Sequence, residues 1–276
     1  MEVINSIKMQ SSLLIRKKGF QISFLLLFAY AMLISVIYAY MQKGSYTTEM
    51  IHPAMISGIT SDVDYVWFFC RYFPFMAVMP AGFSFINDIN TKTSVLLKAQ
   101  MGEKRYYMGK LVSVFLITFI TFTFPFFIEL LLNVIIFPFE GTRAATGWEA
   151  YSLTYVQYAN NHLMSRLFYN NIYIYYIIST ALTGIFAGAG AVFTVGISSF
   201  GIKYKAFLFL PFYLFIYLAE NISKYIISSY TYIDTYITIF DIIEGKSMAY
   251  YLTLIVLLMI MGIIFTAINI RRNETR

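Results

Sequence analysis

The chain has few of the residues from which enzymes build reactive sites. Charged residues make up 12% of its 276 positions, whereas a soluble domain has roughly a quarter. The single cysteine, Cys70, excludes an intrachain disulfide and a multi-cysteine metal site. The two histidines, His52 and His162, lie outside the long apolar runs, which disfavours a histidine-ligated metal inside a membrane. We therefore predict no catalytic residue and no metal site, and a membrane-embedded enzyme is disfavoured.

The chain is rich in apolar residues. Hydrophobic residues make up 59% of the chain and aromatic residues 19%, with a mean hydropathy of +0.68. A transmembrane helix needs about 20 mostly apolar residues. Six segments are candidates, at residues 20–40, 66–86, 111–136, 172–197, 206–218 and 250–270. The sequence therefore predicts an all-α membrane protein with six transmembrane helices.

The basic residues predict the orientation of these spans. They concentrate at both ends of the chain and in the segments after the second and fourth spans, which the positive-inside rule places in the cytoplasm. Those segments contain Lys8, Arg16, Lys17, Lys18, Lys92, Lys98, Lys104, Arg105, Lys110, Lys203, Lys205, Arg271, Arg272 and Arg276. We expect both termini in the cytoplasm. The net charge of +6 is explained by these loops, and no nucleic-acid partner is predicted.

Two segments predict helices that do not cross the membrane. In residues 1–19, Ile4, Ile7, Leu14 and Ile15 fall near one helical face beside basic residues, which is typical of a helix lying at the inner membrane surface. Residues 220–248 are rich in isoleucine and tyrosine but interrupted by aspartate and serine. This pattern predicts a re-entrant hairpin in the outer leaflet before the last span. Residues 20–276 together form the predicted transmembrane domain.

A polar segment, residues 88–110, separates the second and third predicted spans. Threonine and serine near its start can begin a short helix, and Gly102 can end it. Val95, Leu96 and Leu97 within that helix are apolar side chains that could pack against another surface. A short amphipathic helix of this kind suits binding of a partner protein, and an ordinary solvated loop is the alternative.

The order of elements resembles the permease subunits of ABC-2 type transporters. The resemblance covers essentially the whole chain, and its most specific part is the segment INDINTKTSVLLKAQMGEKRYYMGKLV. The matching residues are Asp88, Thr91 or Thr93, Leu96, Leu97, Arg105, Tyr106, Tyr107 and Lys110. The chain departs from the family pattern in having Asp88 where glutamate is more usual, and Asn90 or Lys92 where a glycine precedes the threonine.

This resemblance implies that the segment from Thr91 to Met101 is a coupling helix seated on a nucleotide-binding subunit. The implied contact residues are Thr91, Thr93, Ser94, Val95, Leu96, Leu97, Lys98 and Met101, with coupling or structural roles for Asp88, Arg105 and Lys110. The spacing of Gly102, Gly109 and Lys110 does not fit a phosphate-binding loop. ATP and Mg²⁺ would therefore bind a separate P-loop ATPase, expected as a homodimer, and no cofactor is expected in this chain.

The resemblance also implies a second permease, the same chain or a sister chain, in a bacterial plasma membrane. The function it implies is export of an amphipathic substrate such as a peptide antimicrobial, a drug or a lipid-like molecule. The alternative is an ion- or proton-coupled secondary transporter or channel, the class that uses intramembrane charges.

A few residues inside the predicted spans are candidates for specific roles. Glu129 in the third span is either part of a pathway or a carboxylate near the outer interface, and Arg71 is a candidate ion-pair partner for Glu129 or Asp64. Gly184 and Gly188 have the GxxxG spacing that lets helices approach closely. The spacing alone predicts helix packing and does not identify the neighbouring helix.

Overall fold

The structure is a computed structural model that describes residues 2–47, 50–56, 59, 63–139, 164–200, 204–226 and 248–274. Within these ranges the regular elements are helices, and no β-strand occurs. The helices are α1 (Glu2–Ile15), α2 (Lys18–Met41), α3 (Val63–Val78), α4 (Ser84–Asn90), α5 (Thr93–Met101), α6 (Glu103–Ile136), α7 (Ser165–Asn170), α8 (Ile172–Ser198), α9 (Phe209–Ile226) and α10 (Met248–Glu274), with 3₁₀ turns at Pro53–Met55 and Lys205–Leu208.

Four stretches are long and apolar enough to cross a membrane: α2, α6, α8 and residues Tyr251–Arg271 of α10. The prediction of an all-helical chain with membrane-spanning segments is confirmed at this level, and four of the six predicted spans coincide with these helices. Helix α6 begins at Glu103, ahead of the start predicted from hydropathy. Its 34 residues make it about 51 Å long, which exceeds the roughly 30 Å hydrocarbon core.

The second predicted span is divided into two shorter helices. Helix α3 ends at Val78, and α4 begins only at Ser84. Pro80 lies between them and has no N–H for a helical hydrogen bond. The chain turns here through a 2.7 Å bond from the Gly82 N–H to the Val78 carbonyl. With 16 residues, α3 is about 24 Å long.

The fifth predicted span also differs from its expected bounds. Residues Lys205–Leu208 form a 3₁₀ turn, and α9 then runs from Phe209 to Ile226, beyond the predicted end at residue 218. Most of the predicted re-entrant hairpin, residues 227–247, lies outside the described residues, as do residues 140–163 of the loop before α7.

Helices α6 and α8 form the centre of the bundle. Helix α6 contacts α1, α2 and α8, and α8 also contacts α3 and α10. Gly184 and Gly188 of α8 lie directly against α6. A Cβ atom on Gly184 would lie 2.5 Å from the Thr123 methyl carbon, and one on Gly188 would lie 2.8 Å from the Phe115 ring. The GxxxG spacing therefore serves contact between two helices of the same chain.

Aromatic side chains fill the space between these helices and α3. The Phe73 ring lies 5.2 Å from Phe122 in an edge-on arrangement and 5.7 Å from Phe186 in a stacked one. Such pairs add to the stabilisation gained from burial. The rings that form this core are Phe69, Phe73, Phe122, Phe126, Phe186 and Phe212. They are buried, so these rings pack the bundle.

Helix α1 lies against the first half of α6. The Gln10 side-chain amide donates a 2.9 Å hydrogen bond to the Tyr106 carbonyl, and Leu14 is almost fully buried. Ile4 and Ile15 remain exposed. The residues of the predicted apolar face therefore have different surroundings. Leu14 packs into the protein, and the two isoleucines stay on the outer surface.

Candidate functional site

Asp88 on α4 is the centre of a charged cluster that joins three parts of the chain. Lys17, at the junction of α1 and α2, places its Nζ atom 3.0 Å from Asp88 Oδ1. Lys110 and Tyr106 lie one helical turn apart on α6. The Lys110 ammonium pairs with Asp88 Oδ2, and the Tyr106 hydroxyl donates to the same oxygen at 3.1 Å. We call these four residues the Asp88 cluster.

The Asp88 cluster is largely buried, and its two lysines keep the Asp88 carboxyl charged. Side-chain exposure is 8% for Asp88, 4% for Lys110 and 31% for Lys17. Burial raises the pKa of the Asp88 carboxyl, but the ammonium groups of Lys110 and then Lys17 outweigh burial and hold this pKa below its usual value. Asp88 is therefore ionised at neutral pH, and removing it would leave Lys110 as a buried charge.

Helix α5 is flanked on both sides by a residue with a positive φ angle. Lys92 precedes it with a φ of 57°, and Gly102 ends it with a φ of 83°. The predicted end at Gly102 is confirmed, because glycine adopts positive φ without a steric cost. The Thr91 hydroxyl donates to the Asn87 carbonyl at 2.8 Å, so Thr91 closes α4 instead of capping α5.

The two faces of α5 have different surroundings. Ser94 and Leu97 are buried, whereas Val95 is 66% and Leu96 63% exposed. Met101 is half-buried. Ser94 and Leu97, two of the predicted partner contacts, therefore pack against their own chain in this structure. Val95 and Leu96 are the apolar side chains that α5 presents outward, and we call them the exposed α5 face.

Lys98 connects α5 to α6 and, through α6, to α10. Its Nζ donates to the Glu103 carboxylate at 2.8 Å and to the Tyr107 hydroxyl at 3.0 Å. The Asn269 side-chain amide of α10 donates to the same hydroxyl at 3.4 Å. Burial lowers the pKa of Lys98, but its hydrogen bonds to Glu103 and Tyr107 outweigh burial and raise this pKa above its usual value. A displacement of α5 would therefore act on α6 and, through Tyr107, on α10.

The remaining predicted residues lie away from these two features. Arg105 is exposed on the first turn of α6, outside the Asp88 cluster. Arg71 is exposed on α3, whereas Glu129 on α6 is fully buried, with the Tyr176 hydroxyl 3.3 Å from its carboxylate. Among the ion pairs of the described residues, none joins Arg71 to Glu129. The structure does not bring this predicted pair together.

Little in the sequence indicates that Lys17 and Tyr106 belong to the Asp88 cluster. Lys17 is 71 residues from Asp88, and Tyr106 enters the sequence analysis only as a residue that matches the family pattern, without a partner. One signal was present: Asp88 and Glu103 are the only acidic residues in the loops predicted to be cytoplasmic, amid many basic ones. Each of these acids is paired with a lysine in the structure.

No protein-family model, curated protein or solved structure matches this chain. In the described part of the chain, no group of three or more histidine, cysteine, aspartate or glutamate side chains is placed to hold a metal ion. The interpretation of the site therefore depends on its own geometry and on the resemblance seen in the sequence.

Proposed function

We propose that this chain is the transmembrane subunit of an ATP-driven exporter of the ABC-2 type, and that α5 contacts a separate P-loop ATPase. The observation that carries the proposal is the exposed α5 face. Val95 and Leu96 lie side by side on a short helix, both about two-thirds exposed, while Ser94 and Leu97 anchor the same helix. Exposed apolar pairs on a fixed helix suit docking into a groove of a partner.

The links from α5 into the bundle support a coupling role. Lys98 joins α5 to Tyr107 of α6, and Tyr107 joins Asn269 of α10. On the other side of the loop, Asp88 joins α4 to Lys110 of α6 and to Lys17. A push on α5 would thus be transmitted to the ends of several helices at once. Transport driven by an external ATPase requires such a connection.

The proposal includes six spans with both termini in the cytoplasm of a bacterial cell. Helices α3 with α4 and α9 would supply the two crossings that are too short or too broken to be recognised by length. A second permease, either the same chain or a sister, would complete the pathway. The substrate class we propose is an amphipathic peptide, drug or lipid-like molecule.

The test uses the full chain, affinity-purified from its native membrane in mild detergent. We expect ATPase activity to copurify with it, and Leu96→Asp to abolish that activity while the thermal unfolding of the chain is unchanged. The matched control is Tyr46→Asp, because Tyr46 is 77% exposed in the segment after α2, at the other end of that helix from Lys17. Copurified ATPase activity that is the same in Leu96→Asp and the wild type would contradict the proposal.

The second candidate function, an ion- or proton-coupled transporter, is favoured by one observation. Glu129 is a fully buried carboxylate in α6, and carboxylates inside transmembrane helices commonly mark ion or proton pathways. Transport in vesicles distinguishes the two candidates. An exporter of the proposed kind stops when ATP is withheld and continues when the proton gradient is collapsed, whereas a coupled transporter does the reverse.

A further inference from the structure

An open cleft of about 660 Å³ lies where the start of α2 meets the turn between α3 and α4. Its lining carries four basic side chains, Arg16, Lys17, Lys18 and Lys205, and one carboxylate, that of Asp88. Lys110 and Lys17 already offset the Asp88 charge. The cleft therefore has an excess of positive charge, which attracts an anion.

The backbone at the start of α2 adds to this attraction. Helix α2 begins at Lys18 with no acidic residue in its first turn, and the preceding residue, Lys17, makes no side-chain capping bond. Lys17, Lys18 and Gly19 all line the cleft. The first N–H groups of a helix have no carbonyl partner within the helix, and the helix dipole is positive at this end. This arrangement favours a phosphate or carboxylate.

Ser84 is a second, independent feature that points to a ligand at the cleft. It lines the cleft, is only 1% exposed, and its hydroxyl has no hydrogen-bond partner among the described residues. Several other buried serines bond to the preceding turn, as Ser23 does to the Gly19 carbonyl at 2.8 Å. A buried hydroxyl without a partner is unfavourable, and a phosphate oxygen would accept a hydrogen bond from it.

Apolar side chains form the rest of the cleft wall. Leu13, Met79, Pro80 and Phe83 lie among its lining residues, and Leu13 is 40% exposed. A free phosphate would contact only the basic part of this surface, whereas a lipid would use both parts. We propose that the cleft binds an anionic membrane phospholipid, with the headgroup phosphate on Arg16, Lys18, Lys205 and Ser84 and an acyl chain along the apolar wall. This proposal does not require an ATPase partner.

The test measures binding of dioctanoyl phosphatidylglycerol to the purified full chain in detergent, with dioctanoyl phosphatidylcholine and glycerol phosphate as comparison ligands. We expect phosphatidylglycerol to bind more tightly than either. Arg16→Gln with Lys18→Gln should weaken its binding roughly thirtyfold, at about 1 kcal/mol per basic residue near an anionic lipid. Ser84→Ala should weaken it about threefold without lowering the thermal stability, because the removed hydroxyl has no partner.

The matched control is Lys8→Gln with Lys104→Gln, which removes two exposed charges outside the cleft. We expect it to change the affinity by less than about threefold. An equal loss in this control would show general charge attraction and overturn the site. Equal binding of phosphatidylcholine would overturn the need for an anion. Equal binding of glycerol phosphate would make the ligand a free phosphate and overturn the assignment to lipid.

Discussion

The two sides of the segment from Asp88 to Lys110 differ in what their side chains contact. On one side, Asp88 and Leu97 are buried, with Asp88 held by two ammonium groups. On the other side, Val95 and Leu96 have most of their surface exposed. The difference shows that a loop of high charge need not be a solvated connection. One side fixes the segment to the bundle, and the other remains open for contact. Substitutions on the buried side should therefore lower stability, and those on the exposed side should not.

The largest expected effect is on the buried side. Asp88→Asn would leave the Lys110 ammonium, whose side chain is 4% exposed, without its carboxylate. Breaking a buried ion pair by removing one partner costs about 3–5 kcal/mol. We expect a large drop in the thermal unfolding temperature of the detergent-purified chain and a lower yield of monodisperse protein.

Glu103→Gln is the control for Asp88→Asn. It breaks the Lys98–Glu103 pair, in which the side chains are 27% and 32% exposed. Exposed pairs contribute about 0–1 kcal/mol. If both variants lowered the unfolding temperature equally, the Asp88 cluster would not be the anchor of the loop.

The second largest effect is expected from the neighbouring leucines of α5. Leu97 is 3% exposed and Leu96 is 63% exposed, so the same truncation to alanine samples both sides. Leu97→Ala should cost about 2–4 kcal/mol through lost burial and the cavity left behind. Leu96→Ala should stay within about 0.5 kcal/mol. Unfolding curves of the two variants check this, and equal effects would mean that α5 packs differently.

The sequence predicted the existence of α5 and the importance of its surroundings, but it did not predict which leucine faces outward. Composition supports a short helix, and Gly102 marks its end. The choice between Leu96 and Leu97 depends on how α5 is rotated against α6, which is a long-range property. The resemblance treated the two as a pair, and tertiary packing separates them.

Two other features show the same limit in different ways. Hydropathy predicted one continuous span for residues 66–86, because it does not register the backbone break at Pro80. The sequence predicts only part of the Asp88 cluster: the resemblance includes Asp88, Tyr106 and Lys110, whereas Lys17 joins them across 71 residues. Charge pairing of this range is set by the docking of α1 and α2 on α6, which no local pattern specifies.

The pH dependence of stability should separate the two sides further. The folded pKa of Asp88 is lower than its ordinary value of 3.8, so its pairing stabilises the fold above that value. This contribution is lost as pH falls through the lower, folded value. We expect the unfolding temperature of the wild type to fall, as pH drops below about 5, more steeply than that of Asp88→Asn. Leu96→Ala should keep the wild-type profile, and a wild-type slope in Asp88→Asn would assign the effect to other carboxylates.

A smaller effect on stability than at Asp88 or Leu97 is expected at Lys98, which lies between the two sides of α5. Lys98→Met keeps most of the apolar stem but removes the bonds to Glu103 and Tyr107. It should cost no more than about 1 kcal/mol, because the pair is partly exposed. Lys98→Met also tests the energetic coupling between Lys98 and Tyr107, because Tyr107→Phe removes the same hydrogen bond from the other end. The two substitutions together should therefore cost less than the sum of their separate effects.

The control is a pair of substitutions at residues that share no hydrogen bond. Lys98→Met and Leu96→Ala should be additive, because Leu96 is exposed and takes no part in the Lys98–Tyr107 bond. If the proposed function is correct, Lys98→Met should also retain the ATPase but transport less substrate for each ATP hydrolysed, since the connection from α5 to Tyr107 and Asn269 is cut. Additivity of Lys98→Met with Tyr107→Phe would show that the hydrogen bond carries no coupling, and the connection would then have to run through the Asp88 cluster.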